Sequence, residues 1–115
     1  MYSNELVRGM LKTIILQLLG EDDRMYGYEL SKLVKERTEG KIVLTEGALY
    51  PILHKLEKDG LVTTSLDKVG NRTRKYYALT LSGKESAQDK KSEMLDFINT
   101  MKTLMEPKTM ATFWS

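Results

Sequence analysis

Residues 45–62 read TEGALYPILHKLEKDGLV, and this stretch decides which fold the chain adopts. Its apolar residues have the spacing of an amphipathic helix that starts after an N-cap at Thr45 and is ended by Gly60. On a helical wheel, the core face is made by Leu49, Ile52, Leu53 and Leu56. Pro51 lies on the opposite face and removes one backbone hydrogen bond from the first turns. The exposed face therefore differs from an ordinary solvent-facing surface of lysines and glutamates.

That exposed face is small, aromatic and weakly cationic. It holds Gly47, Tyr50, Pro51, His54 and Lys58, with Ala48 and Lys55 on one flank. Glycine and alanine add almost no bulk, so the helix backbone can approach another surface closely. Tyr50 and His54 point in the same direction and can hydrogen-bond to phosphates or to base edges. The alternative is that both side chains pack against a neighbouring loop of the same chain.

Two further helices are predicted before this one. The apolar residues of the segment 4–19 have helical spacing and cover more than one core-facing stripe, which indicates a first helix. Residues 27–37 give a second helix with an apolar face of its own. Residues 42–44, IVL, are either a short strand or an extended lead-in to the helix that Thr45 caps.

After Gly60 the period of the sequence changes. Residues 61–66 and 72–79 are rich in Val, Thr and Tyr, and they predict a β-hairpin whose turn carries Gly70 and Asn71. Thr80 or Ser82 then caps a long helix that runs to about Met105, and Pro107 closes it.

The order of these elements indicates a mainly α fold with a small β-hairpin, namely a winged helix-turn-helix followed by a long C-terminal dimerisation helix. We divide the chain into a DNA-binding domain over residues 1–80, a dimerisation helix over 81–106 and a flexible tail over 107–115. Because winged helices also serve as protein–protein modules, an interaction module without a DNA role stays open at this point.

Composition excludes several classes of function. The chain has 115 residues, of which 41% are hydrophobic and 30% charged, with one histidine and no cysteine. Disulfides, thiolate zinc sites and cysteine nucleophiles are therefore excluded, and we expect no metal, no cofactor and no enzymatic activity. No apolar run approaches the roughly 20 residues that span a bilayer, and the N-terminus does not resemble a signal peptide. We expect a cytoplasmic protein without a membrane partner.

Positive charge is concentrated in the middle of the chain. Residues 32–76 contain ten basic and six acidic side chains, whereas residues 1–31 contain three and five and residues 77–115 contain five of each. Four cations fall in the predicted hairpin, with no acid among them from residue 68 to 76: Lys68, Arg72, Arg74 and Lys75. A basic hairpin beside an exposed helix favours contact with a DNA backbone. The alternative is a charged edge that discourages strand-to-strand aggregation.

The long helix carries a seam of apolar residues spaced by four, three and four: Met94, Ile98, Met101 and Met105. This alternation is typical of a coiled-coil contact, and it predicts a homodimer in which Leu6 and Met10 of the first helix complete the interface. The alternative is that the helix folds back on its own domain. The methionines also suit an apolar effector pocket between the first and last helices, lined by Met10, Ile14, Met94 and Phe97.

Several linked blocks of the sequence resemble the PadR-type transcriptional regulators. These blocks are Arg8-Gly9 with Leu11, Tyr26-Gly27-Tyr28-Glu29-Leu30, Gly47-Ala48-Leu49-Tyr50-Pro51 with Leu53, Leu56-Glu57-Lys58-Asp59-Gly60-Leu61, Arg72 with Arg74-Lys75-Tyr76-Tyr77, and Leu79-Thr80 with Gly83. The resemblance covers about residues 8–83. It implies a dimeric winged-helix repressor that binds an inverted-repeat operator, with the third helix in the major groove and the wing on the flanking backbone.

Carried over by position, the resemblance also makes Tyr28 a phosphate contact. The residues predicted to bind DNA are Tyr28, Thr45, Gly47, Ala48, Tyr50, Pro51, His54, Lys55, Lys58, Arg72, Arg74 and Lys75. The chain departs from the family pattern in two places. It has Asn71-Arg72-Thr73-Arg74 where the family often has Gly-Arg-Pro-Arg, and its last helix lacks the tryptophan on which drug-binding relatives stack planar ligands.

Overall fold

The computed structural model describes residues 2–107, and Trp114 of the predicted tail lies outside them. The elements are α1 (Asn4–Arg8), α2 (Leu11–Leu19), β1 (Met25–Tyr26), α3 (Gly27–Arg37), α4 (Glu46–Lys58), β2 (Val62–Val69), β3 (Arg72–Leu79) and α5 (Leu81–Met105). Helices α2, α3 and α4 enclose the core, and the sheet closes one side of it. The core consists of the buried side chains Leu11, Ile15, Leu16, Leu18, Leu19, Met25, Leu30, Val34, Leu44, Leu49, Leu53, Leu56, Val62, Tyr77 and Ala87.

The prediction of one helix over residues 4–19 is wrong, because the chain turns at Gly9. This glycine ends α1, the Met10 N–H that follows it donates to the Val7 carbonyl at 2.8 Å, and α2 starts at Leu11. No residue of α1 is buried, whereas six of the nine residues in α2 are buried. Because glycine weakens a helix interior, the segment is divided into two helices at this point. The unusually wide apolar surface of the sequence thus belongs to two helices.

Helix α4 follows its predicted bounds. The Thr45 hydroxyl accepts the Ala48 N–H at 3.2 Å, and Gly60 adopts a φ of 75° just beyond the last turn. The helix continues through Pro51. Its leucines are buried as predicted, and Ile52 is half-buried at the edge of the core.

The hairpin is confirmed, and it belongs to a larger sheet than predicted. Strands β2 and β3 pair from Val62↔Leu79 to Val69↔Arg72, and Gly70 takes a φ of 64° in the two-residue turn. A third strand, β1, pairs with β3 and gives the antiparallel order β1-β3-β2. Two residues are too short to show alternation, so the sequence gives no sign of β1. Residues 42–44 lead into α4 without strand pairing, so the short strand is not formed.

Helix α5 has two parts with different surroundings. In its first turns Gly83 and Ala87 are buried against the domain, and the Gln17 amide donates to the Ala87 carbonyl at 2.6 Å. The second part exposes large apolar side chains, including Leu95, Phe97, Ile98, Leu104 and Met105. The first part therefore folds back on its own domain, and the dimer seam on the second part stays a prediction. Among residues 2–107, no helix combines the length and apolarity needed to cross a membrane.

Candidate nucleic-acid interface

The junction between β1 and α3 is the point around which the predicted site is arranged. Met25 turns into the core, and Tyr26 lies on the outer face of the sheet because side chains alternate along a strand. The Tyr26 N–H donates to the Glu29 carboxylate at 3.2 Å, which satisfies a free donor at the start of α3. Tyr28, in the first turn of α3, is 66% exposed.

Tyr50 of α4 packs against this junction. A Cβ added at the buried Gly27 would lie 2.5 Å from the Tyr50 hydroxyl oxygen, so only glycine leaves room for that contact. Tyr50 is still 38% exposed. The two interpretations of Tyr50 are therefore compatible, since the hydroxyl end of the ring packs against Gly27 while more than a third of the residue stays exposed.

Arg74 reaches the same junction from β3. Its guanidinium lies 4.4 Å from the centroid of the Tyr26 ring, within the range of a cation–π contact. The Tyr26 and Tyr28 rings stack with centroids 6.3 Å apart. Tyr28, Tyr50 and Arg74 were predicted separately from three parts of the sequence, and the fold gathers them around Tyr26 and Gly27.

The rest of the predicted surface lies along α4. Pro51, His54 and Lys58 are exposed, and a Cβ added at Gly47 would meet no atom within 4 Å. The Thr45 hydroxyl is engaged as the helix cap, and Ala48 is half-buried against the core, so its contribution to this surface is its small size.

Three predicted cations have different surroundings. Lys55 pairs with Asp59 at the end of its own helix, with Nζ 3.2 Å from Oδ1. Lys75 lies on the opposite face of the hairpin from Arg72, and its Nζ is 3.9 Å from Oε1 of Glu57 on α4. Arg72 is exposed beside the turn of the hairpin.

Glu57 and Tyr77 join the hairpin to α4. The Thr64 hydroxyl donates to Glu57 Oε2 at 2.9 Å, and Lys75 approaches the other carboxylate oxygen. Burial raises the pKa of the Tyr77 hydroxyl, with smaller contributions from Tyr50 and Glu57. Glu57 is thus drawn toward the hairpin, away from the exposed face of α4.

The sequence did not single out the contacts on the outer face of the sheet. Arg24 Nη2 lies 2.7 Å from Asp67 Oδ2, and the same guanidinium is 3.9 Å from the centroid of the Tyr76 ring. The Tyr76 and Tyr26 rings meet edge to face at 5.5 Å. Strand alternation places Arg74 and Tyr76 on one face, but the partners across the sheet depend on the unpredicted strand β1.

The hydrogen bond between Arg24 and Asp67 shifts the pKa of both groups. It lowers the pKa of the Asp67 carboxyl and raises the pKa of the Arg24 guanidinium. Both groups therefore stay charged on the outer face of the sheet at neutral pH. Among residues 2–107, no group of three or more His, Cys, Asp or Glu side chains is arranged to hold a metal ion.

The predicted dimerisation residues are accessible in the single chain. Leu6, Ile98 and Met105 are exposed, and Met10, Met94 and Met101 are half-buried.

The residues predicted to line an effector pocket have different surroundings. Ile14 packs against the core of the domain, and Phe97 is 48% exposed on α5. A cavity between α2 and α5 is lined by other residues, including Leu16, Gln17 and Ala87. A pocket formed with Met10 and Met94 stays a prediction.

Comparison with known proteins identifies the family of this chain. A family model described as "Transcriptional regulator PadR-like family" matches residues 15–89. The chain belongs to the PadR-like family. PadR-family proteins are transcriptional regulators and not enzymes, which confirms the resemblance seen in the sequence and the expectation that the chain is not an enzyme.

Curated relatives support this assignment. An uncharacterised protein of Lysinibacillus sphaericus is 38% identical over 85 residues, which are 73% of this PadR chain and 77% of that protein. The transcriptional regulator YqjI of Escherichia coli is 31% identical over 86 residues, which are 75% of this chain and 40% of YqjI. The matched region is therefore less than half of the length of YqjI.

Solved structures of transcriptional regulators share the fold. A transcriptional regulator from Clostridium thermocellum is 30% identical with a TM-score of 0.82, covering 92% of this chain and all of that one (100%). A PadR family regulator from Eggerthella lenta is 30% identical with a TM-score of 0.74, covering 90% and 85%. These similarities confirm the predicted winged helix-turn-helix with a long C-terminal helix.

Proposed function

We propose that this PadR-family regulator is a homodimeric, sequence-specific DNA-binding repressor whose two α4 helices enter the two half-sites of an inverted-repeat operator. The observation that carries the proposal is the convergence of Tyr28, Tyr50 and Arg74 beside the exposed face of α4. Residues 47–56 contain no acidic side chain, and Glu57 is directed toward Lys75 of the hairpin. This surface therefore presents hydrogen-bonding groups and cations to an anionic partner.

Each part of the surface has a separate role in the proposed complex. Gly47 lets the start of α4 approach the floor of the groove, and Tyr50 and His54 contact base edges or the adjacent phosphates. Arg72 and Arg74 contact the backbone beside the half-site, with Tyr28 as a further phosphate contact. Phosphate contacts release counterions and set the register of the protein, whereas the groove-facing side chains supply sequence preference.

Dimerisation gives the operator its symmetry. A two-fold dimer places two α4 helices about one helical turn of DNA apart or a multiple of it, so half-sites of opposite orientation are expected. A protein bound across a promoter in this way blocks access to it. Expression from a promoter that contains the operator should therefore rise when the regulator is deleted.

Selection from random DNA duplexes with the purified protein tests the proposal directly. The enriched sequences should form an inverted repeat, and a mobility shift on the promoter of the protein's own gene provides an independent measurement. No enrichment and no shift by a confirmed dimer would favour the alternative, an interaction module without a DNA role.

Replacing Arg74 by alanine should weaken binding to all DNA sequences by a similar factor. If each copy of Arg74 neutralises one phosphate, the slope of log affinity against log salt should become shallower by about one unit per copy. The measurement is the dissociation constant on operator and unrelated DNA at several salt concentrations. Lys91→Ala, which removes the same charge from an exposed position on α5, is the control. An unchanged affinity and salt slope for Arg74→Ala would refute the wing assignment.

Replacing Tyr50 by alanine should cost about 1–3 kcal/mol of binding free energy on the selected operator and little on unrelated DNA. Tyr50→Phe removes only the hydroxyl, which is the atom nearest to Gly27, and keeps the ring, so it measures what the hydroxyl contributes to binding and to packing. Thermal unfolding of both variants shows whether the contact between α3 and α4 survives. Equal losses on operator and unrelated DNA would contradict a role in sequence preference.

A further inference from the structure

Asp67 and Arg74 are direct partners across the hairpin, yet they do not form the ion pair that this position offers. The register of β2 and β3 sets them opposite each other. Directly opposed residues have Cβ atoms about 4.5–5.5 Å apart, and opposite charges there attract. In the structure Asp67 is bonded instead to Arg24 at 2.7 Å, and the Arg74 guanidinium lies over the Tyr26 ring.

Arg24 spans the whole sheet to make this bond. It precedes β1 at one edge of the sheet, and Asp67 belongs to β2 at the other edge. Its guanidinium crosses the strand between them over the face of Tyr76, 3.9 Å from the ring centroid. The carboxylate is thus satisfied by a cation from outside the hairpin.

We propose that Arg24 is a positioning residue for Arg74: by occupying the Asp67 carboxylate, it leaves the Arg74 guanidinium on Tyr26, where it faces DNA. The contact of Arg74 with DNA rests on the proposed function, whereas the arrangement of Arg24, Asp67 and Arg74 does not. Without Arg24, the cation directly opposite the Asp67 carboxylate is Arg74. Pairing of those two groups would draw the guanidinium away from Tyr26 and neutralise it.

A measurement without DNA tests the arrangement itself. In Arg24→Gln, nuclear Overhauser effects between Arg74 and the Tyr26 ring should weaken, and the Asp67 carboxyl should still titrate below its ordinary pKa because Arg74 replaces the lost partner. In Arg24→Gln with Arg74→Ala, the Asp67 pKa should rise further, because of these groups only the Lys68 backbone N–H still lowers it. If Arg24→Gln alone raises the pKa as far as the double variant does and the contact of Arg74 with Tyr26 persists, the inference is wrong.

Binding to the selected operator tests the consequence. Arg24→Gln should weaken binding about threefold to tenfold, a range set by the modest strength of exposed ion pairs and by two copies per dimer. Adding Asp67→Asn should restore most of the loss, and Asp67→Asn should raise affinity less in the wild-type background than in Arg24→Gln. Arg37→Gln is the matched control, because it also removes one charge and an exposed ion pair, that of Arg37 with Glu21 at 2.6 Å.

The outcomes separate the two proposals. If the Arg24→Gln, Asp67→Asn double variant binds as weakly as Arg24→Gln, Arg24 contacts DNA itself and the positioning role is overturned. If the wild-type protein selects no DNA, the proposed function fails, and the titration of Asp67 still decides whether Arg24 positions Arg74.

Discussion

Replacing Gly83 by alanine should lower the free energy of unfolding by about 2–3 kcal/mol, although the change adds a single methyl group. Gly83 is buried in the first turn of α5, and an added Cβ would overlap the backbone carbonyl of Leu61. That carbonyl also accepts the Thr80 N–H at 3.0 Å, and the Leu61 N–H donates to Leu56 at 2.9 Å. Because hydrogen bonds hold the backbone both at Leu61 and at the start of α5, neither segment can move away without weakening one of them. Urea unfolding of the two proteins measures the difference.

Gly9→Ala is the matched control for this substitution. Gly9 has a φ of −67°, and no atom lies within 4 Å of the position of its added Cβ. Alanine there should leave stability unchanged or raise it by about 0.4–1 kcal/mol, because it restricts the unfolded chain. Equal effects of the two substitutions would show that the contact between Gly83 and Leu61 is loose. The contact holds the first turn of α5 against the segment that follows α4.

The parts of the fold that were predicted from the sequence are those set by local chemistry. Thr45 and Gly60 mark the ends of α4 because a hydroxyl accepts a free N–H at one end and glycine tolerates a positive φ at the other. Thr80 marks the start of α5 for the same reason. The leucines of α4 show their buried face through their spacing alone.

The remaining features depend on partners far away in the sequence. Strand β1 exists because β3 offers it hydrogen bonds, and its two residues carry no pattern of their own. The ion pair of Arg24 with Asp67 joins residues 43 positions apart and needs the complete sheet. Similarly, the spacing of α4 does not distinguish a DNA contact of Tyr50 from packing within the chain, because the glycine against which Tyr50 packs lies on α3. The break at Gly9 was missed because apolar spacing continues across it.

Changing Ile98 and Met101 together to aspartate should convert the proposed dimer into a monomer. Ile98 is 51% exposed and Met101 half-buried in the single chain, on the part of α5 that extends beyond the contact of Ala87 with α2. A second copy is the proposed partner for this apolar seam, and two buried aspartates per chain, unpaired, would prevent association. Light scattering during size-exclusion chromatography measures the change in mass.

The control is Ser92→Asp with Thr103→Asp, which adds the same charge on the opposite side of the helical wheel, at positions that are both exposed. This variant should remain a dimer. Since α5 is anchored through its first turns, the seam variant should keep a folded winged-helix domain, which circular dichroism and a cooperative melt would show. Its affinity for the inverted repeat should fall to that of a single half-site, because the two copies no longer bind as one unit. A seam variant that retains the dimer mass would place the interface elsewhere, and the symmetry expected of the operator would then need a different origin.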